Sequence, residues 1–209
     1  MKIAVVGSNG RVGSLVVKEA LNRGFEVTGI AEGNNLTKGI TFIQKNAFDL
    51  SKDDLCCFDA VVDAVGGWTP ETIPNITNVM NYLAEILTGT KTRLIVVGGA
   101  GSLFVNKEKT ITVDMGKDFP DDWKPLSAAH GKGLKTLRNT TDLNWTYISP
   151  ACDFIADGER TGYYKLGGEE LIFNHKGESN ISYADYAIAL VDVIESGKFN
   201  KERISVVSK

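Results

Sequence analysis

The stretch "VVGSNGRVG", residues 5–13, decides the fold, because it sets three glycines between an apolar run and an amphipathic one. Gly7 permits a tight turn, Gly10 lets the backbone approach a phosphate, and Gly13 lets a helix pack close to a sheet. The N–H groups of the first helical turn and the positive end of the helix dipole then face an anion. We therefore predict a strand, a phosphate-binding loop and a helix. The predicted contacts to a dinucleotide pyrophosphate are Gly7, Ser8, Asn9, Gly10, Arg11, Val12 and Gly13.

The same alternation of short apolar runs and amphipathic stretches continues along the chain. The predicted strands are "KIAVVG", "FEVTGI", "TFIQK", "DAVVDAV", "TRLIVVGG", "NWTYIS" and "RISVVS". The predicted helices run from about Arg11 to Arg23, near "SKDDL", and over "IPNITNVMNYLAEILT", "SAAHGKGLKTLRNTT" and "YADYAIALVDVIES". Strands that are apolar on both faces and separated by helices are typical of a parallel sheet covered on both sides. The pattern predicts an α/β, Rossmann-type, doubly wound fold with a mostly parallel sheet.

The length and composition favour one domain. A chain of 209 residues with 43% hydrophobic residues can bury one substantial core but not two of usual size, so we predict a single domain over 1–209. Two segments, about 101–125 and 153–181, interrupt the alternation after the fifth and sixth strands. Ligands bind at the carboxyl edge of such sheets, which makes both segments candidate substrate walls. Within the second, "YYKLGGEELIFN" predicts a hairpin turning at Gly167 and Gly168.

The charge pattern excludes several kinds of partner. The net charge is −3, and the 23 Lys and Arg residues form no basic tract, so we expect no direct binding to nucleic acid or to a membrane surface.

We expect no signal peptide, because the opening apolar run is too short for one. Cys56, Cys57 and Cys152 show no CxxC spacing, which indicates neither a metal site nor a disulfide framework and favours a cytoplasmic location. The sequence does not decide between a monomer and a homodimer.

The end of the second strand predicts which dinucleotide binds. Glu32 follows "GIA" and lies 19 residues after Gly13, where a carboxylate can accept hydrogen bonds from both adenosine ribose hydroxyls and repel a 2′-phosphate. This favours NAD(H) over NADP(H), although Arg11, Lys38 or Lys45 could approach the same region and reverse the preference. The remaining predicted contacts on this side are Asn46 and Ala47 at the adenine edge and Ala64, Val65 and Gly66 after the fourth strand.

The chain also resembles a known family. The segments "VVGGAGSL", "LNWTYISPA" and "GERTGYYKLGGEEL...ISYADYAIALVD" are similar to those of the atypical short-chain dehydrogenases/reductases, in particular the bacterial NADH-flavin reductases. The resemblance covers nearly the whole chain. It implies a Rossmann fold with a nicotinamide dinucleotide in the glycine loop. It also implies a nicotinamide site between the fifth strand, the helix containing His130, and "SPAC" after the sixth strand. The residues carried over to that site are Gly98, Gly99, His130, Pro150 and Ala151.

Two departures from this group bear on the chemistry. Family members often have a basic residue where this chain has Glu32, and the superfamily's catalytic Tyr-x-x-x-Lys is missing. "AAHGKGLK", residues 128–135, places His130 at the tyrosine position and Leu134 at the lysine position. Three interpretations of His130 stay open: a hydrogen-bond donor to the cofactor, a general acid for the substrate, and a packed structural histidine. Ser102 is a second catalytic candidate, and it could instead only cap a turn.

Without the Tyr-Lys pair, a ketone would lack its proton donor. A flavin needs orientation and water exclusion more than a protein acid. We therefore expect an NAD(P)H-dependent reductase that passes hydride to a diffusible flavin (FMN or FAD) or a similar planar acceptor such as a quinone. The alternative is a non-catalytic, redox-sensing NAD(P)-binding regulator of the NmrA-like type. A planar acceptor could stack on an aromatic wall drawn from Trp68, Trp123, Phe154, Tyr163 and Tyr164, although such residues are more often local core.

Overall fold

The computed structural model describes residues 1–209 and contains one large sheet with helices on both faces. The strands are β1 (Lys2–Val6), β2 (Glu26–Ala31), β3 (Thr41–Gln44), β4 (Ala60–Asp63), β5 (Arg93–Val97), β6 (Asn144–Ser149), β7 (Asp153–Ile155), β8 (Tyr164–Gly167), β9 (Asn180–Ser182) and β10 (Glu202–Ser208). The helices are α1 (Arg11–Asn22), α2 (Lys52–Leu55), α3 (Ile73–Leu87), α4 (Lys124–Asn139) and α5 (Tyr183–Ser196). The predicted strands and helices lie where the periodicity places them, except that α4 begins earlier. Strands β7 and β9, which pair with each other, were not predicted.

The large sheet has the strand order β3-β2-β1-β4-β5-β6-β10-β8. All neighbouring strands from β3 to β10 are parallel, and only β8 is antiparallel, pairing with β10. The chain starts in the middle, builds one half outward through β2 and β3, then returns past β1 to build the other half from β4. This order reverses beside β1, and ligands bind at such a switch point. The Rossmann-type doubly wound prediction is confirmed.

Two apolar layers cover the sheet. Helices α1 and α5 pack on one face, where Val16, Val17 and Leu190 are fully buried. Helices α3 and α4 pack on the other, around Leu83, Leu137 and other buried side chains. The strands are therefore apolar on both faces for a physical reason, since each face is covered by a helix layer. No helix in the structure is long and apolar enough to span a membrane.

The predicted hairpin at Gly167 and Gly168 is wrong. Residues 164–167 do form a strand, but its partner is β10, and the chain beyond Gly168 does not fold back on it. Instead the Leu171 N–H donates to the Phe104 carbonyl at 2.8 Å, which binds the chain to the first insertion. The Ser205 hydroxyl donates to the Glu170 carbonyl at 3.0 Å. The backbone groups after Gly168 are therefore satisfied by distant segments, which the local pattern could not show.

The same region is held together by a buried cation. The Arg203 side chain, only 1% exposed, pairs with Glu169 and donates to the Ser102 carbonyl at 3.0 Å. Its guanidinium also lies 5.7 Å from the centre of the Phe104 ring. A buried guanidinium needs such partners, because an unpaired charge in the interior is costly. Arg203 thus connects both insertions to β10 of the sheet.

Candidate dinucleotide-binding and active site

The glycine loop has the geometry of an anion cradle. Gly7 adopts φ +81°, and a β-carbon there would lie 2.8 Å from the Ala64 carbonyl oxygen. A β-carbon on Gly13 would lie 2.2 Å from the Gly7 carbonyl oxygen, so only glycine lets α1 start this close to the loop. Neither a side-chain cap nor an acidic residue occupies the first turn of α1, which begins after Gly10. The free N–H groups of that turn and the dipole therefore fit a dinucleotide pyrophosphate.

Other residues of the loop hold it in place. The Ser8 hydroxyl, in a residue only 1% exposed, donates to the Ile30 carbonyl at 3.4 Å. The Asn9 side chain donates to the Asn34 carbonyl at 2.9 Å. Val12 packs against the apolar layer of α1 and α5. The side chains of these three predicted contacts are therefore engaged within the protein, and a phosphate would meet their backbone.

A cleft of about 290 Å³ opens beside this loop, between the ends of β1, β2 and β4. The predicted residues that line it are Gly7, Gly10, Glu32, Asn46, Ala47, Ala64, Val65 and Gly66. The walls also include Phe48, Asn75 and Val79, which sequence reasoning missed. Asn75 lies in the first turn of α3, and a polar residue at that place was the available signal. The glycine loop and the ends of β2 and β4 thus meet at one cleft, where an adenosine would lie.

Glu32 is fixed in this cleft by its neighbours. Asn46 donates to the Glu32 carboxylate at 2.7 Å, while the Asn46 side-chain oxygen accepts from the Phe48 N–H at 2.9 Å. The Gln44 amide donates to the Glu32 carbonyl at 3.0 Å. The carboxylate keeps further lone pairs for a ribose, because a carboxylate accepts several hydrogen bonds. Its predicted role in binding the ribose stays a prediction.

His130 lies at the other end of the carboxyl edge, against β5 and β6. A β-carbon on Gly99 would lie 2.9 Å from the His130 ring, so the glycine makes room for the imidazole. The same argument applies to Gly98, where a β-carbon would lie 2.3 Å from the ring of Tyr147. The Tyr147 hydroxyl accepts from the Gly99 N–H at 2.9 Å and lies 3.2 Å from His130 Nδ1. Gly98 and Gly99 are therefore explained by packing, whatever else they touch.

This arrangement fixes the protonation of His130. Desolvation lowers the pKa of His130 to about 4, so the ring is neutral at pH 7. Burial raises the pKa of Tyr147, which therefore keeps its proton and can donate it to His130 Nδ1. When the Tyr147 hydroxyl is the donor, the imidazole proton sits on Nε2, which makes no hydrogen bond within the chain. His130 can offer one N–H to a ligand, but it is a poor source of a transferable proton at neutral pH.

Leu134, at the lysine position of the Tyr-x-x-x-Lys pattern, has no polar group in its side chain. Leu134, 2% exposed, packs in the apolar layer between α3 and α4. Gly133 faces Met80 of α3, where a β-carbon would lie 2.6 Å from the sulfur, so this glycine serves helix packing. No atom lies within 4 Å of a β-carbon built on Gly131, so packing does not explain that glycine.

Three further predicted residues are engaged in the protein. The Ser102 hydroxyl accepts from Arg203 at 3.1 Å, which gives it a structural role. Pro150 is buried, and Ala151, 3% exposed, packs in the layer of α1 and α5. Ala151 could therefore border a nicotinamide only through its backbone. The catalytic role predicted for Ser102 remains a prediction.

The candidate aromatic residues do not form one wall. The Phe154 ring lies 4.1 Å from Tyr183 and 4.9 Å from Tyr186, which makes it local core. Tyr164 packs against the same layer and bonds Asp192 through its hydroxyl. The others are exposed: Trp68, Trp123 and Tyr163. The structure thus assigns two of the five to packing.

Two buried polar residues were missed. Asp63, the last residue of β4, is 3% exposed and accepts only from the Val65 N–H at 3.1 Å. Burial raises the pKa of this carboxyl to about 7. Tyr147, which lies within the predicted strand "NWTYIS", connects Gly99 to His130. The signal for both was a polar group inside an otherwise apolar strand, since such groups need a partner.

Comparison with known proteins identifies the family. Residues 7–196 match the family described as NAD(P)H-binding. The chain belongs to this NAD(P)H-binding family. The match covers the glycine loop, the cleft and His130, so the predicted binding of a nicotinamide dinucleotide is confirmed at the level of NAD(P)H.

Relatives cover the chain from end to end. The uncharacterized protein YwnB of Bacillus subtilis (strain 168) is 39% identical over 211 residues, with 100% of this chain and 99% of YwnB covered. A Streptococcus pneumoniae TIGR4 protein, described as "a putative NADH-flavin reductase", is 49% identical, with both chains fully covered and a TM-score of 0.97. A "putative epimerase" from Bacteroides thetaiotaomicron is 32% identical, covering 99% of this chain and 96% of its own, with a TM-score of 0.83. The fold is therefore shared by proteins described with different chemistries.

Proposed function

We propose that this protein is an NADH-dependent reductase that passes hydride to a free flavin, FMN or FAD, or to a similar planar acceptor such as a quinone. One observation carries the proposal: the positions of the superfamily's Tyr-x-x-x-Lys hold a neutral His130 and a core Leu134. An acceptor that needs a strong protein acid would find none there. The 49% identity to the Streptococcus pneumoniae protein supports the same class.

The residues would divide the work between binding and orientation. The backbone of residues 7–13 would hold the pyrophosphate, and Glu32 the adenosine ribose. His130 would donate its Nε2 proton to the nicotinamide amide or ribose, with Tyr147 keeping the imidazole in that tautomer. Bound NADH would supply a hydride, and the flavin would take up that hydride and one proton from water. Orientation of the two rings would then provide most of the acceleration.

A cytoplasmic location belongs to this proposal. All three cysteines, Cys56, Cys57 and Cys152, are free thiols, which accords with a reducing compartment.

The test is an anaerobic assay with purified protein, NADH and FMN, in which the loss of NADH absorbance is followed. We expect loss well above the rate without enzyme. The matched control is Gly13→Ala, whose blocked loop should return the rate to background. NADH that binds measurably but is not consumed, with FMN, FAD or a quinone, would overturn the reductase and leave the dinucleotide sensor. The neutral His130 and buried Leu134 fit that second candidate as well, since a sensor needs no acid.

A further inference from the structure

One ion pair beside the cleft has no role in the hydride transfer proposed above. Lys45 lines the cleft next to Asn46, and its ammonium donates to both carboxylate oxygens of Asp54, at 2.9 and 2.7 Å. Asp54 lies in α2, outside the residues that line the cleft. The pair therefore directs a cation of the site toward a helix beside it.

The Asp54 side chain is held by Ser51, the N-cap residue of α2. Its carboxylate accepts from the Ser51 N–H and from the Ser51 hydroxyl, both at 2.8 Å, while its own N–H donates to the Ser51 hydroxyl. This capping box gives the carboxylate one orientation. The hydrogen bonds from Lys45, and to a smaller extent those from Ser51, lower the pKa of Asp54 to about 2. Asp54 is therefore ionised at every physiological pH, and its carboxylate is oriented by the cap of α2.

The other cations near the ribose are not held in this way. Arg11 lies 3.8 Å from Asp157, and both side chains are largely exposed, so that pair is weak. Lys38 is exposed, makes no ion pair and does not line the cleft. Lys45 is thus the one lysine that lines the cleft, and Asp54 binds it with two hydrogen bonds.

We infer that Asp54 is a specificity-determining residue: it holds Lys45 away from the adenosine 2′ position, so that Lys45 does not offset the negative charge of Glu32 there and NADPH is disfavoured. The inference rests on the proposed binding of NADH in this cleft. Discrimination between the two dinucleotides would then have two parts. Glu32 repels a 2′-phosphate. Asp54 binds Lys45, which could otherwise attract that phosphate and offset the repulsion.

The test measures the ratio of the dissociation constants for NADPH and NADH, by quenching of protein fluorescence without any flavin. Asp54→Asn should free Lys45. The affinity for NADPH relative to that for NADH should then rise by roughly three- to fivefold at low salt, the range of one exposed ion pair. The gain should shrink at high ionic strength, because the new pair is exposed. Asparagine still offers an oxygen to the Ser51 N–H, so the cap of α2 is kept.

Two variants show whether Lys45 is the cause. Asp53→Asn removes the same charge from the adjacent residue, which is exposed and has no ion-pair partner, and should leave the ratio unchanged. Adding Lys45→Gln to Asp54→Asn should remove the gain. Asp54→Ala frees the lysine by a second route and should reproduce the gain.

The outcomes separate this inference from the proposed reductase. An unchanged ratio in Asp54→Asn and Asp54→Ala overturns it, as does an equal gain in Asp53→Asn or a gain that survives Lys45→Gln. Wild-type protein that binds dinucleotide but reduces no acceptor overturns only the reductase. Wild-type protein that binds neither dinucleotide overturns both.

Discussion

The predicted adenosine half of the cleft and the predicted nicotinamide half are built differently. The adenosine half consists of glycine backbone and of charged side chains on exposed loops, such as Glu32 and Lys45. The nicotinamide half consists of close-packed neutral groups from three separate segments, Gly99, His130 and Tyr147. Under the proposed function, charge would select the ligand in the first half, whereas geometry would orient it in the second. The two halves should therefore respond differently to substitution.

The largest effect is expected at the glycine loop. Gly13→Ala places a β-carbon 2.2 Å from the Gly7 carbonyl oxygen, so α1 must move away from the loop. We expect NADH affinity to fall by roughly 100-fold and unfolding free energy to fall by roughly 1–3 kcal/mol. Calorimetric titration and denaturant unfolding measure the two effects.

The matched control is the same substitution in a different helix. Gly131→Ala in α4 meets no atom within 4 Å and should raise stability by about 1 kcal/mol, because alanine favours a helix. Equal behaviour of the two variants would contradict the role given to Gly13.

The second effect is a change in the pH dependence of stability. Asp63 keeps its proton in the folded protein up to about pH 7, whereas the unfolded chain loses it above about pH 4. The unfolded state binds fewer protons between these values, so this group makes the folded state less stable as pH rises through that window. In the parent, the unfolding free energy falls between pH 5 and pH 8 because of this group, and Asp63→Asn should remove about 2 kcal/mol of that fall.

Denaturant unfolding of both proteins at each pH provides the measurement. His130 acts in the opposite direction, since its lowered pKa makes the folded state more stable as pH rises from about 4 to its ordinary value. That contribution is common to both proteins and cancels in the difference. Parallel stability curves would show that Asp63 is ionised in the folded state.

The third effect concerns the charge of the adenosine half. Glu32→Arg replaces a repulsion of the 2′-phosphate by an ion pair, and we expect the preference to move toward NADPH by roughly 30-fold. Glu32→Gln keeps the size of the side chain and an oxygen for Asn46, and should give a smaller shift. Dissociation constants for both dinucleotides provide the measurement, and unchanged ratios would refute the role of Glu32.

The smallest effect is expected at His130. His130→Ala should weaken NADH binding by roughly fivefold, the value of one hydrogen bond, with less change in turnover. Turnover of the parent should show no ionisation that His130→Ala removes between pH 5 and pH 8, because the imidazole is neutral throughout that range. Steady-state kinetics of both proteins in that range provide the measurement. A sharp fall in the turnover of His130→Ala, with NADH affinity unchanged, would support the acid role instead. Tyr147→Phe is the companion variant, since it removes only the hydroxyl that orients the ring.

Local patterns in the amino-acid sequence are enough to predict the parallel sheet, the glycine loop and the position of Glu32. Each of these depends on residues close together in the chain: the period of apolar residues, the spacing of Gly7, Gly10 and Gly13, and the end of a strand. Local sterics and burial on both faces are enough to fix such features.

Long-range packing, in contrast, sets the pairing of β8 with β10, the lowered pKa of His130 and the ion pair between Lys45 and Asp54. These depend on groups that are far apart in the sequence or on how deeply a side chain is buried. The chain beyond Gly168 makes hydrogen bonds with the first insertion, and desolvation of His130 by the surrounding protein lowers the pKa of its imidazole. Partners and desolvation are properties of the packed molecule, which no local pattern of residues carries.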